Sequence, residues 1–106
     1  MLKPHFTALL NFISEKEGGR KTPISSGYRT GIKFSFDSEL ILGEHHFMDT
    51  DLVFSGDTVT AETTIIGVEK LNRKIYTGLD FDFYEGENLM GKGVVTKIFN
   101  DNILSE

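Results

Sequence analysis

The stretch Leu79-Asp80-Phe81-Asp82-Phe83 alternates apolar and acidic residues without exception. A period of two puts the three apolar side chains on one face and both carboxylates on the other, so this segment must be a strand with one face buried. Ile32, Phe34 and Phe36 alternate with Lys33 and Ser35 in the same way. So do Val59, Ala61, Thr63 and Ile65 with Thr60, Glu62 and Thr64. Phe6 to Ile13 and Val94 to Phe99 are rich in β-formers with weaker alternation, as expected where both faces are partly covered.

Between these runs stand turn signals: Gly18-Gly19, Ser25-Ser26-Gly27, Ser55-Gly56-Asp57, Leu71-Asn72-Arg73 and Glu85-Gly86-Glu87-Asn88. Ser38 to Gly43 and Asp51 to Phe54 are ambiguous, and no stretch has the i, i+3, i+4 apolar spacing of an amphipathic helix. About six or seven strands in one domain-sized chain predict an all-β barrel or sandwich. Asn100 to Glu106 reads as a frayed tail.

Composition narrows the function classes. The 106 residues contain no cysteine, which removes disulfides, thiolate nucleophiles and cysteine–zinc sites and is compatible with the cytoplasm. No apolar run approaches the roughly 20 residues of a membrane-spanning helix. The first residues lack a small-residue cleavage site, so the N-terminus reads as a first strand rather than a signal peptide. Sixteen Asp and Glu against eleven Lys and Arg give a net charge of −5, a field that opposes phosphate backbones.

Three features carry chemistry-bearing residues. Glu44-His45-His46-Phe47-Met48-Asp49-Thr50-Asp51 is rich in metal-ligand types. In a strand, adjacent His45 and His46 face opposite ways and cannot share an ion; in a loop they could, with Asp49 or Asp51. The expectation is a polar connection between strands, with no metal and no cofactor. Asp80 and Asp82, two residues apart on one face, are spaced about 6–7 Å by the strand rise, which suits two-carboxylate chemistry, although outward acids on a strand ordinarily face solvent. Ser25 and Ser26 have no spacing to His5 that marks a nucleophile pair. The chain is therefore read as no enzyme, without a small-molecule substrate.

The segment Glu15 to Arg29 is aperiodic and dense in glycine, serine and cations. Its residues Ser14-Glu15-Lys16-Glu17-Gly18-Gly19-Arg20, then Thr22-Pro23, then Gly27-Tyr28-Arg29, resemble the opening of the third, C-terminal domain of bacterial elongation factor Tu. The resemblance continues through the turn Ser55-Gly56-Asp57, the strand Leu79-x-Phe81-x-Phe83 and Gly91-x-Gly93-Val94-Val95, and covers about residues 5 to 99. It implies a small six-stranded antiparallel, Greek-key-like β-barrel forming a single domain. Within these 106 residues no counterpart of the factor's GTPase domain or second barrel is expected, and they contain no Gly-x-x-x-x-Gly-Lys-Ser/Thr loop to hold phosphates.

By that resemblance Glu17, Gly18, Gly19, Arg20, Tyr28 and Arg29 mark a face that docks on protein, a GTPase or another translation component. A structural reading stands beside it: Gly18, Gly19 and Gly27 supply unusual backbone angles, while Arg20 and Arg29 tie the loop to the barrel. The resemblance also places Tyr84, Glu85, Gly86 and Asn88 on the side the factor turns to tRNA. Three arginine positions of that side are Asp80, Tyr84 and Asn88 here, and Gly31 stands for a glutamine. Lost cations and added carboxylates oppose an RNA backbone, so conventional tRNA binding is not expected. An RNA-binding translation module with a less basic surface is the alternative.

Overall fold

The computed structural model describes residues 3–36, 39–66 and 74–99. Eight strands are present among them: β1 (Phe6–Phe12), β2 (Ile24–Ser25), β3 (Tyr28–Phe34), β4 (Ile41–Phe47), β5 (Leu52–Val53), β6 (Thr58–Ile65), β7 (Asp80–Glu85) and β8 (Asn88–Ile98). Six of them close a barrel in the order β1-β6-β4-β3-β7-β8, and β2 and β5 form a separate two-stranded sheet. Every barrel neighbour is antiparallel. The expected all-β, six-stranded barrel is therefore the fold. The turn Leu71 to Arg73 and the tail from Asn100 lie outside the described residues.

Alternation fixes what lies inside. Phe81 and Phe83 of β7 are buried while Asp80 and Asp82 point outward. Ile32 and Phe34 of β3 do the same, as do Val59, Ala61, Thr63 and Ile65 of β6. The interior is largely aromatic. Phe6, Phe34 and Phe81 meet edge to face, and Phe81 leads to a second cluster of Phe83, Phe12, Phe47 and Tyr28. Burying each ring contributes roughly 1.5–3 kcal/mol.

Such large rings need empty space opposite. Gly93 lies across from Phe81 and Gly91 across from Phe83. A Cβ on Gly93 would stand 2.5 Å from Phe81 Cε1, well inside contact distance. The Gly91-x-Gly93 pair is thus a packing solution, with the rings lying over the glycines.

Two expectations are corrected. The polar stretch Glu44 to Asp51 is a connection only from Met48 on: Ile41–Phe47 is a full barrel strand, with Ile41, Gly43, His45 and Phe47 facing inward. The ambiguous Asp51–Phe54 contains the short strand β5, which pairs with β2 through Ile24–Val53 and Ser25–Leu52.

Gly93→Ala overpacks the wall beneath Phe81 and should cost about 1–3 kcal/mol in urea unfolding, with the denaturant slope unchanged. A neutral result would show that the rings do not require the gap.

Candidate functional site

The segment read as aperiodic, Glu15 to Arg29, is folded onto one end of the barrel as far as Gly27, and its last two residues begin β3. It opens with a one-turn 3₁₀ helix at Glu15–Glu17 that ends at Gly18, whose φ of 106° is left-handed. Gly27 also has positive φ, at 87°. Gly19 does not, and its need for glycine is spatial. A Cβ there would lie 2.5 Å from the Ile13 carbonyl oxygen and 2.8 Å from that of Ser14. The angle expectation thus holds at Gly18 and Gly27, while close backbone approach explains Gly19.

Hydrogen bonds fasten this segment on several sides. The Ile13 N–H donates to Met90 O at the start of β8, and the Gly19 N–H to Ser14 O. Gly56 N–H donates to Ile13 O, and the Ser55 hydroxyl donates to the Arg20 carbonyl, joining the segment to the turn before β6. Ser26 Oγ accepts from the Phe47 N–H, and the Gly27 N–H donates to His45 O.

Side chains complete the attachment. The Tyr28 hydroxyl donates to Glu85 Oε2 at 2.6 Å, and Arg20 Nη1 lies 3.5 Å from the same oxygen. Burial, followed by the adjacent Glu85 carboxylate, pushes the Tyr28 phenol well above its usual range, with Arg20 opposing that rise. The phenol therefore stays a donor at any physiological pH. Arg20 also reaches Thr22 Oγ1 through Nε and Nη2. One carboxylate thus collects the cation of the loop and the phenol of β3.

The docking set does not form one surface. Glu17 and Gly18 are exposed on the cap, and Gly19 and Arg20 are half-buried beside it. Tyr28 is the first residue of β3, with its ring in the core. Arg29 projects from the outer wall, where its Nε donates to Glu44 Oε1 at 2.9 Å. The structure instead joins half of each predicted set. Glu17 and Gly18 share a groove with Asn88, Leu89 and Glu87, while Arg20 and Tyr28 meet Glu85. Gly86 lies in the β7–β8 turn with φ of 59°, and Tyr84 is half-buried opposite Gly31.

On β7, Asp82 stands in register between Lys33 of β3 and Lys92 of β8. Asp82 is thus flanked by a cation on each neighbouring strand, while Asp80 lies opposite Val94.

His45 and His46 part ways. His46 is exposed and its Nε2 lies 2.9 Å from Glu44 Oε2. His45 is fully buried, with Nε2 2.8 Å from Thr30 Oγ1 and Nδ1 2.8 Å from Thr63 Oγ1. Burial above all, then His46 nearby, lowers its pKa to about 3, with Glu44 opposing. A neutral imidazole has one donor and one acceptor nitrogen, and the two threonine hydroxyls satisfy both. The strand reading therefore decides the matter: the two imidazoles lie on opposite sides of the barrel wall and cannot share an ion. His5 and Ser26 are likewise occupied, His5 Nδ1 accepting from the Ile65 N–H and Ser26 Oγ from Phe47.

No protein-family model matches the chain.

Tyr28→Phe removes a charge-assisted bond and should cost roughly 1.5–3 kcal/mol in chemical denaturation. A loss below about 0.5 kcal/mol would show the Tyr28–Glu85 contact to be incidental. The His45 environment sets a pH dependence. Its folded pKa lies below the unfolded value, so this stabilisation is complete above about pH 6.5 and is lost as pH falls toward 3, by up to about 1.4 kcal/mol per pH unit. Unfolding at pH 5 should therefore require about 2 kcal/mol less than at pH 7, with His5→Gln retaining most of the slope. A flat profile between those pH values would contradict a neutral core histidine.

Proposed function

We propose that this chain is a non-catalytic, cytoplasmic binding module that docks on a protein through the capped end of its barrel. The observation that carries this reading is the convergence of Arg20 and Tyr28 on Glu85. It turns a glycine-rich loop into a fixed surface joined to the β7–β8 turn. Fixing a surface before binding lowers the entropy cost of association, which favours a docking role. Glu17, Gly18, Glu87 and Asn88 border the groove that this arrangement leaves between the 3₁₀ turn and the hairpin.

The resemblance of the segment to the third domain of elongation factor Tu points to the class of partner, a GTPase or another translation component. Such a partner would supply the nucleotide chemistry for which this chain has no phosphate-binding loop. The RNA reading draws less support. The wall that would face a phosphate backbone sets Asp80 and Asp82 against Lys33 and Lys92, so it offers no excess of cations, and Arg20 is already engaged by Glu85.

The test is quantitative affinity capture from the source cell, comparing wild type with the double variant Glu17→Lys, Glu87→Lys. Both side chains are exposed, and the one bond lost, from the Ser14 hydroxyl to Glu17 Oε1, is local to the 3₁₀ turn, so the barrel should be unaffected. Wild type should enrich a translation GTPase or factor, and the double variant should recover about tenfold less of it. Recovery of no such protein, or an identical set with both chains, would refute the reading. Binding to aminoacyl-tRNA at low salt, where electrostatic affinity is greatest, would favour the RNA alternative instead.

A further inference from the structure

From Phe34 to Glu69 the sequence contains eight Asp and Glu and no Lys or Arg. The fold gathers much of this stretch into neighbouring strands, since β4 pairs with β6. Along their outer face the cross-strand partners form a ladder. Leu42 lies beside Ile66, whose N–H donates to the Leu42 carbonyl. His46 lies opposite Glu62, and Met48 bonds to Thr60. From Leu42 to Met48 this strip spans about 20 Å, at about 3.3 Å per residue.

The strip has apolar ends and an acidic middle. Leu42, Ile66 and Met48 are 44%, 41% and 53% exposed. A groove of about 470 Å³ opens on its middle and its Ile66 end, bordered by Pro4, Arg29, Glu44, His46, Glu62 and Ile66, with Leu42 and Met48 outside it. Among the described residues lining it, Arg29 is the one permanent cation, and Glu44 holds it at 2.9 Å. Glu62 has His46 and Thr7 as its cross-strand neighbours and no permanent cation in register with it, and the exposed Asp49 and Asp51 follow Met48. Charge on this wall is therefore of one sign where it is uncompensated, whereas the β3–β7–β8 wall interleaves Lys33, Asp82 and Lys92.

We infer that the β4–β6 wall is a second docking surface, whose occupant is a basic amphipathic segment of a protein partner. Apolar side chains of that segment pack on Met48 at one end and on Leu42 and Ile66 at the other, and its Lys or Arg side chains face Glu62 and Asp49. Apolar anchors with a charged surround of opposite sign provide contact area and orientation together. A second copy of this chain is a poor match, because its own β4–β6 wall would bring like charges together. The inference rests on the reading that the chain works by binding protein, but it concerns a different surface from the capped end.

The experiment is selection of displayed random 16-residue peptides on the wild-type chain, followed by affinity measurement on Glu62→Lys/Asp49→Lys and on Met48→Ser. Matching circular dichroism and thermal melts would establish that the variants fold. Selected peptides should be basic with spaced apolar residues, bind less tightly as salt rises, and lose at least tenfold in affinity on each variant. Overturning results are recovery of no binders, recovery of non-basic binders, or binding unchanged on both variants. Self-association of the wild type abolished by Met48→Ser would assign the wall to a second copy and also overturn the inference. Peptides that bind the wall, with no translation factor captured at the cap, would leave this inference standing while the reading above fails; the reverse pattern would do the opposite.

Discussion

Strand β1 pairs with β6 on one side and with β8 on the other, and this double pairing closes the sheet. The rest of the molecule depends on that closure. A closed ladder leaves no barrel edge to recruit another strand, so the surface it offers consists of side chains on the outer wall and the segments that cap its ends. The interior is committed to packing. The aromatic rings fill it, and the buried polar groups His45, Thr30 and Thr63 satisfy one another. Alternation turns the charged side chains of the strands to the exterior, among them Lys33, Glu44, Glu62, Asp80, Asp82 and Lys92.

At the capped end, local chemistry converts a long connection into structure. Arg20 is brought to the hairpin by the 3₁₀ turn and by the Ser55 hydroxyl bonded to its carbonyl. Tyr28 reaches the same carboxylate from inside the barrel. The phenol therefore ties core packing to surface order. Its ring packs against Phe12, and its hydroxyl shares Glu85 with the cation of the loop. A surface built this way is largely fixed in the chain on its own.

The legible part of the fold was the part in which inward residues are apolar. Leu79–Phe83 and Val59–Ile65 announce themselves because each buried position carries a recognisable core side chain or threonine. Strand β4 stayed hidden because two of its inward positions are Gly43 and His45. Gly43 is required where a Cβ would meet the side chains of Ile32 and Ile65, and His45 is tolerated because hydroxyls from two other strands flank it. Those partners are 15 and 18 residues away, so no local pattern reveals them. The site was half legible for the same reason. Arg20, Tyr28 and Glu85 stood out in the sequence, but their meeting depends on a barrel register that brings β7 beside β3. The cation-free stretch from Phe34 to Glu69 is plain in the sequence, whereas its gathering onto one wall follows only from the pairing of β4 with β6.

The claim on which the account turns is that Ile13–Gly27 is a built surface of the barrel rather than a free loop. Amide hydrogen exchange measures this residue by residue. The Gly19 and Gly27 amides, bonded to Ser14 O and His45 O, should exchange far more slowly than the exposed Lys21 amide. Exchange of all three at the rate of an unstructured chain, with the barrel strands still protected, would contradict the account.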